Sequence, residues 1–162
     1  MLEEGSAMLK RTIGIIFLLI IVLSGCTGKD DYYKGIEKKD ISDLNDNRNL
    51  EYVNEYRGHT DNWAAVYIVY KVKEAAAHKS KMLLRYIGKN DIPPGKLSYS
   101  FDTEGGGDGS GTLRTDDSIN GIYNLGSSES NGSVASPNST VKMQVNWNEN
   151  TETFVLKPIL KK

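Results

Sequence analysis

Residues 62–73 read NWAAVYIVYKVK, and this stretch decides the fold class of the chain. It is rich in β-branched and aromatic residues, and apolar side chains occupy both its odd and its even positions. Successive side chains of a strand point to opposite faces of a sheet, so this composition predicts a central strand that is covered on both sides. Tyr67 and Tyr70 fall on opposite faces of that strand, and we expect Trp63 to lie in the core.

Strands with alternating apolar and polar residues are predicted on both sides of this central strand. The clearest is Val141 to Trp147, which places Trp147 in the core. Asn148-Glu149-Asn150 then turns the chain into a final strand, giving a hairpin. Residues 74–81 are the helical candidate, but they cover barely two turns, so we interpret them as a connection between strands. Further strands are predicted to begin near Leu50 and to cover 81–87, 97–101 and 151–156.

This pattern of about six to eight short strands over about 110 residues indicates an all-β domain at residues 49–162. Such a set of strands closes without exposed edges as a two-sheet antiparallel sandwich, which is the predicted fold. A small barrel is the main alternative.

The N-terminal residues are typical of a secretion signal. Residues 13–23 read IGIIFLLIIVL, a run shorter than the roughly 20 residues that span a bilayer, and Lys10 and Arg11 precede it. Residues 1–25 are therefore predicted to be a signal peptide. Leu23-Ser24-Gly25-Cys26 resembles the lipobox of bacterial lipoproteins, whose cysteine is lipidated and becomes the mature N-terminus. We expect Cys26 to anchor the protein to the extracytoplasmic face of the cell membrane; the alternative is an uncleaved anchor helix with an incidental cysteine.

Three further features concern the segments around this motif. Cys26 is the one cysteine of the chain, which excludes an intrachain disulfide and a multi-cysteine metal site. Met8 begins a conventional signal by itself, so we hypothesise that residues 1–7 come from a misplaced start. Residues 26–48 are rich in Gly, Lys, Asp and Asn, and we expect them to form a lipidated N-terminus and flexible tether.

Three segments carry a resemblance to a known group of proteins. They are GHTDNWAAVYIVYKV (58–72), FDTEGGGDGSGTLRTDDSINGIYNLGSSESNGS (101–133) and VKMQVNWNENTETFVLK (141–157). Together, and in this order, they resemble small uncharacterised surface lipoproteins of Bacillus and related Firmicutes. The resemblance implies an immunoglobulin-like β-sandwich and a surface location, and it carries over no catalytic residues. The group usually turns its last hairpin with Asn-Gly, so the Asn148-Glu149-Asn150 sequence leaves the turn type open.

The most unusual composition lies in a glycine-rich part of the chain. Half of the 16 glycines fall between Gly105 and Gly132, in GGGDGSG (105–111) and GSSESNGS (126–133). Glycine, serine and aspartate are the residues that surface hairpins use to turn, so plain loops are one interpretation. The other is a ligand or calcium loop, because carboxylate oxygens are available at Asp102, Glu104 and Asp108.

Composition and motifs favour binding over catalysis. A net charge of −1 provides no basic surface for nucleic acid. Strand spacing could bring His59 and Asp61 together, but no activated nucleophile accompanies them, so we predict no enzyme, no catalytic residues and no cofactor. We expect a lipid-anchored cell-envelope interaction module with an envelope protein or glycan as its partner. The alternative is an accessory lipoprotein that binds an ion or small ligand through the glycine-rich loops at 105–132.

Overall fold

The computed structural model describes residues 31–41, 44, 49–92 and 94–159. Short 3-10 turns cover Asp31–Tyr33, Lys38–Asp40 and Thr115–Asp117. The strands are β1 (Leu50–His59), β2 (Trp63–Val72), β3 (His78–Tyr86), β4 (Lys96–Thr103), β5 (Asp108–Arg114), β6 (Ile122–Ser130), β7 (Val141–Trp147) and β8 (Asn150–Pro158). The prediction of an all-β domain is confirmed.

The strands form one antiparallel, nearly closed sheet in the order β5-β4-β7-β8-β1-β2-β3-β6. Strands β5, β4, β7 and β8 form one half of the sheet, and β1, β2, β3 and β6 form the other. The two halves are joined by a short pairing of β8 with β1. Tyr56 pairs with Pro158, Arg57 pairs with Lys157, and the Ile159 amide donates to the Glu55 carbonyl at 2.8 Å. Because β8 pairs with β1, the predicted immunoglobulin-like sandwich of two separate sheets is wrong. The alternative of a small barrel describes the sheet better.

The inside of the curved sheet holds the larger core, which we call the interior cluster. Trp63 and Trp147 meet edge to face there, with ring centroids 5.3 Å apart, as expected for two core tryptophans. In β7 every second side chain is buried in this cluster, from Val141 to Trp147. The alternation read from the sequence therefore marks the inward face of this strand.

A second cluster lies on the outer face of β2, and we call it the outer cluster. Tyr67 belongs to the interior cluster and Tyr70 to the outer one, so the prediction of a central strand covered on both sides is confirmed. The cover is supplied by Ile36, Ile41 and Leu44, which are almost completely buried. From the sheet, the outer cluster contains Ala64, Val66, Ile68, Tyr70 and Leu83.

The cover comes from the range in which we expected a flexible tether. Of that range, the structure describes 31–41 and 44, and polar contacts as well as apolar ones hold these residues on the sheet. The Arg57 guanidinium lies 3.2 Å from the Glu37 carboxylate and 5.2 Å from the centre of the Tyr33 ring. Arg85 donates to the Lys34 carbonyl at 2.6 Å. The packed domain therefore begins well before residue 49.

Two connections settle points left open by the sequence. The predicted β7–β8 hairpin is confirmed, and its two-residue loop has Asn148 at φ 43° and Glu149 at φ 69°. Positive φ at both positions is the mark of a type I′ turn, in which Glu149 stands where glycine is favoured. Residues 73–77 connect β2 to β3, and the rest of the helical candidate, from His78, belongs to β3.

Candidate functional site at the seam of the sheet

The sheet ends at β5 on one side and β6 on the other, and we call the space between these two strands the seam. Tyrosine side chains bridge it. The Tyr99 hydroxyl, from β4, donates to the Leu125 carbonyl of β6 at 2.6 Å. The Tyr123 hydroxyl, from β6, donates to the Thr115 carbonyl just after β5 at 2.7 Å. Side-chain hydrogen bonds thus join the two edges without a strand-to-strand ladder.

Glycines in β5 let aromatic rings of β4 reach the seam. Gly109 pairs with Phe101 and Gly111 pairs with Tyr99. A Cβ atom at Gly109 would lie 2.5 Å from the Phe101 ring, and one at Gly111 would lie 2.7 Å from the Tyr99 hydroxyl. The rings therefore occupy the space that side chains would take in an ordinary strand. This half of the glycine-rich sequence is mostly a strand, not a loop.

A pocket of about 290 Å³ spans one end of the seam, and we call it the seam pocket. On one side it is lined by Phe101 and by the β4–β5 turn at 106–108; on the other it is lined by β3 and β6. The loop at 133–135 completes its wall. The fold thus brings both glycine-rich segments, 105–111 and 126–133, to a single cavity, although the sequence gives no sign that they meet.

Serine hydroxyls form one wall of the seam pocket, contributed by Ser80, Ser128, Ser130 and Ser133. The Ser80 and Ser128 oxygens are 2.8 Å apart and share a hydrogen bond. Ser80 also hydrogen-bonds the Tyr67 hydroxyl, which opposes the rise in the Tyr67 pKa that burial causes. A chain of hydroxyl groups therefore runs from the interior cluster to the pocket surface.

The pocket also has apolar lining residues. Phe101 comes from β4, whereas Tyr67 and Val69 come from β2, where Val69 pairs with Ser80. The Phe101 and Tyr67 rings lie 6.0 Å apart at an angle of 39°, and Val69 and Val134 line the pocket beside them. His78 and Asp108 add one imidazole and one carboxylate. The pocket thus combines an aromatic surface with a small number of polar groups, as small-molecule sites do.

Hydrogen bonds hold the loops around the pocket in place. The Tyr56 hydroxyl donates to the Ser136 carbonyl at 2.7 Å, and the Ser139 hydroxyl donates to the same carbonyl at 2.8 Å. In the β4–β5 turn, the Thr103 hydroxyl donates to the Gly107 carbonyl at 2.6 Å. The backbone of the loops that line the pocket is therefore held by hydrogen bonds to side chains.

The three carboxylates proposed for a calcium loop are placed differently from one another. Asp102 and Asp108 are paired across β4 and β5, whereas the Glu104 carboxylate accepts from the Thr140 amide at 3.2 Å. Within the described ranges, no three His, Cys, Asp or Glu side chains are grouped so that they could hold a metal ion. Asp108 alone of the three lines the seam pocket.

The remaining sequence candidates lie elsewhere. His59 is exposed, and its ring is 4.6 Å from that of Tyr32. Asp61 is also exposed, in the turn after β1. Cys26 and the lipobox residues Leu23, Ser24 and Gly25 lie outside the described residues. None of the helices in the described part of the chain has the length and apolar character needed to cross a membrane.

Sequence reasoning missed the serine wall. Ser128 and Ser130 alternate with Ser127 and Glu129 along β6. Of these four residues, Ser128 and Ser130 line the pocket. The signal available was the period of two in a polar stretch, which composition alone assigns to a loop.

Comparison of the chain with protein-family models, with curated proteins and with solved structures finds no match. The resemblance to Firmicutes lipoproteins therefore stays a prediction.

Proposed function

We propose that this chain is a lipid-anchored, extracytoplasmic binding protein that takes a small ligand into the seam pocket. The observation that supports the binding role is the meeting of both glycine-rich segments at one cavity lined by aromatic rings and serine hydroxyls. The anchoring role is supported by the sequence Leu23-Ser24-Gly25-Cys26 after an apolar run.

Contacts within the pocket favour binding over nucleophilic catalysis. An activated serine needs a base within about 2.6–3.2 Å of its hydroxyl. Here Ser80 and Ser128 hydrogen-bond each other, and the Ser130 oxygen accepts from the Gly132 amide at 3.0 Å. These hydroxyls are engaged with neutral partners, so they are suited to exchange those bonds for bonds to a ligand.

Ligand binding is tested by thermal unfolding of the full chain in a polyoxyethylene detergent, with a library of small molecules that includes calcium chloride. A ligand present at 100 times its Kd stabilises the folded state by about 2.7 kcal/mol, which raises the melting temperature by roughly 10 °C. Ser128→Leu, which fills the pocket, should abolish this rise. The matched control is Ser127→Leu, on the opposite face of β6, which should retain it.

Two results would count against the proposed ligand site. One is a melting-temperature rise that is equal in Ser128→Leu and Ser127→Leu. The other is the lack of any stabilising molecule in the library, together with recovery of a single envelope protein by crosslinking in cells. In that case the interaction module expected from the sequence replaces the proposal.

Anchoring is tested separately, by growing cells with an alkyne fatty acid. The label should be found on the wild-type protein and be lost in Cys26→Ala. Equal labelling of the two would contradict a lipid on Cys26.

A further inference from the structure

We infer that the ligand of the seam pocket is a neutral saccharide unit, an inference that rests on the proposed binding function. It follows from three properties of the lining: serine hydroxyl groups on β3 and β6, the aromatic ring of Phe101 on β4, and few charges.

The serine wall matches a ligand that carries hydroxyl groups of its own. A hydroxyl is both a donor and an acceptor, and its hydrogen can rotate to suit its partner. Ser80 and Ser128 already form such a pair at 2.8 Å, with Ser80 linked to Tyr67. A ligand hydroxyl can join this chain in either role, whereas a ligand with acceptors alone would use half of its capacity.

The aromatic wall matches the apolar face of a sugar ring. Phe101 is partly exposed and lines the pocket, and the buried Tyr67 ring supports it at 6.0 Å. Ring C–H groups of a saccharide can pack on such a face while the hydroxyls at the ring edge point to the serines. Few other small polar ligands present an apolar face and a hydroxylated edge together.

The charges disfavour ionic ligands. The described lining contains one carboxylate, Asp108, one imidazole, His78, and no lysine or arginine. A phosphate or carboxylate ligand would meet the Asp108 charge without a guanidinium or ammonium partner. The volume of about 290 Å³ is at the small end of ligand cavities, which is suited to one ring and not to a long chain.

The test uses the full chain in a detergent without a sugar headgroup, so that the detergent does not compete. The probes are glucose, galactose, mannose, N-acetylglucosamine and its β-1,4-linked dimer, with phosphate, citrate and putrescine as ionic probes. Binding is followed by saturation transfer from protein to probe. At least one saccharide should bind saturably, and the ionic probes should not.

Two variants assign the binding to the walls of the pocket. Phe101→Leu should weaken saccharide binding by about fivefold or more. Ser128→Ala should weaken binding by about two- to tenfold, and Ser127→Ala should leave it unchanged. The serine pair keeps the test valid if Phe101→Leu fails to fold.

The outcomes separate this inference from the proposed function. Binding of an ionic probe but no saccharide, abolished by Ser128→Leu, overturns the saccharide inference and leaves the ligand site standing. Saccharide binding that none of the wall variants alters also overturns it, because the site then lies elsewhere. If no probe binds, the saccharide inference fails, and the library experiment decides the proposed function by itself.

Discussion

Replacing Ile36 by alanine tests whether residues 31–41 and 44 are a packed part of the domain. Ile36 is fully buried in the outer cluster against β2. The change removes three carbon atoms, which corresponds to about 2.4 kcal/mol of lost burial. Incomplete collapse of the cavity adds to this, so we expect a loss of about 3 kcal/mol in the free energy of unfolding.

Urea unfolding of the full chain, followed by tryptophan fluorescence, measures this loss. Trp63 and Trp147 are both buried in the interior cluster, so their emission reports unfolding of the sheet itself. With an m-value of about 1.5 kcal/mol per molar urea, the midpoint should fall by about 2 M.

The matched control is Lys34→Ala in the same segment. Lys34 is exposed, and its contact with Arg85 uses the backbone carbonyl, which the substitution keeps. We expect a change of less than about 0.5 kcal/mol. If Ile36→Ala is as mild as Lys34→Ala, the segment contributes nothing to folding and the reasoning from burial is refuted.

Three further changes test other parts of the structure. Glu149→Gly removes the strain of a left-handed backbone conformation at this position of the β7–β8 turn. It should raise the free energy of unfolding by about 1 kcal/mol in urea unfolding. Tyr99→Phe removes the hydrogen bond to the Leu125 carbonyl and should lower stability by about 1 kcal/mol in the same assay. The side-chain hydrogen bond from Lys39 lowers the pKa of Glu37. The ionised Glu37 carboxylate therefore stabilises the folded state at pH values above its ordinary pKa of about 4.3, and this stabilisation is lost as the pH falls. The stability difference between wild type and Glu37→Gln should therefore narrow between pH 6 and pH 3.

Each of these three predictions has an outcome that would contradict it. Glu149→Ala keeps the left-handed strain and is the control for Glu149→Gly, so equal stability of the two would argue against strain at this turn. A Tyr99→Phe protein as stable as wild type would mean that the seam does not need its hydroxyl bridge. A Glu37→Gln difference that stays constant with pH would place the carboxylate outside any stabilising ion pair.

Six of the eight strands were predicted from the sequence, but β5 and β6 in the glycine-rich part of the chain were missed, and the predicted closure of the sheet was wrong. Alternation in β7 and two-sided burial in β2 are local patterns, and both were read correctly. The choice between sandwich and barrel depends on the pairing of Tyr56 with Pro158, residues far apart in the chain. Only two residues of each strand take part in this pairing, which is too few to leave a periodic pattern in the sequence. The contact between β1 and β8 therefore could not be inferred.

The sequence implied that apolar residues cover the outer face of β2, but it did not show which residues these are. A strand buried on both sides requires apolar groups above it, and Ile36, Ile41 and Leu44 provide them. Their irregular spacing in a polar segment follows neither the helix nor the strand period, because the backbone runs through short 3-10 turns. The seam pocket was missed for a similar reason, since serines facing a cavity have the same composition as a surface loop.

The packing of residues 32–41 and 44 on the sheet affects how far the domain could lie from its lipid anchor. With a lipid on Cys26 as proposed, residues 27–31 are the chain left between anchor and packed domain, and a fully extended chain of this length spans at most about 18 Å. A free tether up to residue 48 would span up to about 75–80 Å and would let the domain sample distant layers of the envelope. Under this proposal the domain would stay within a few nanometres of the lipid headgroups, and a ligand would have to reach the membrane surface to be captured.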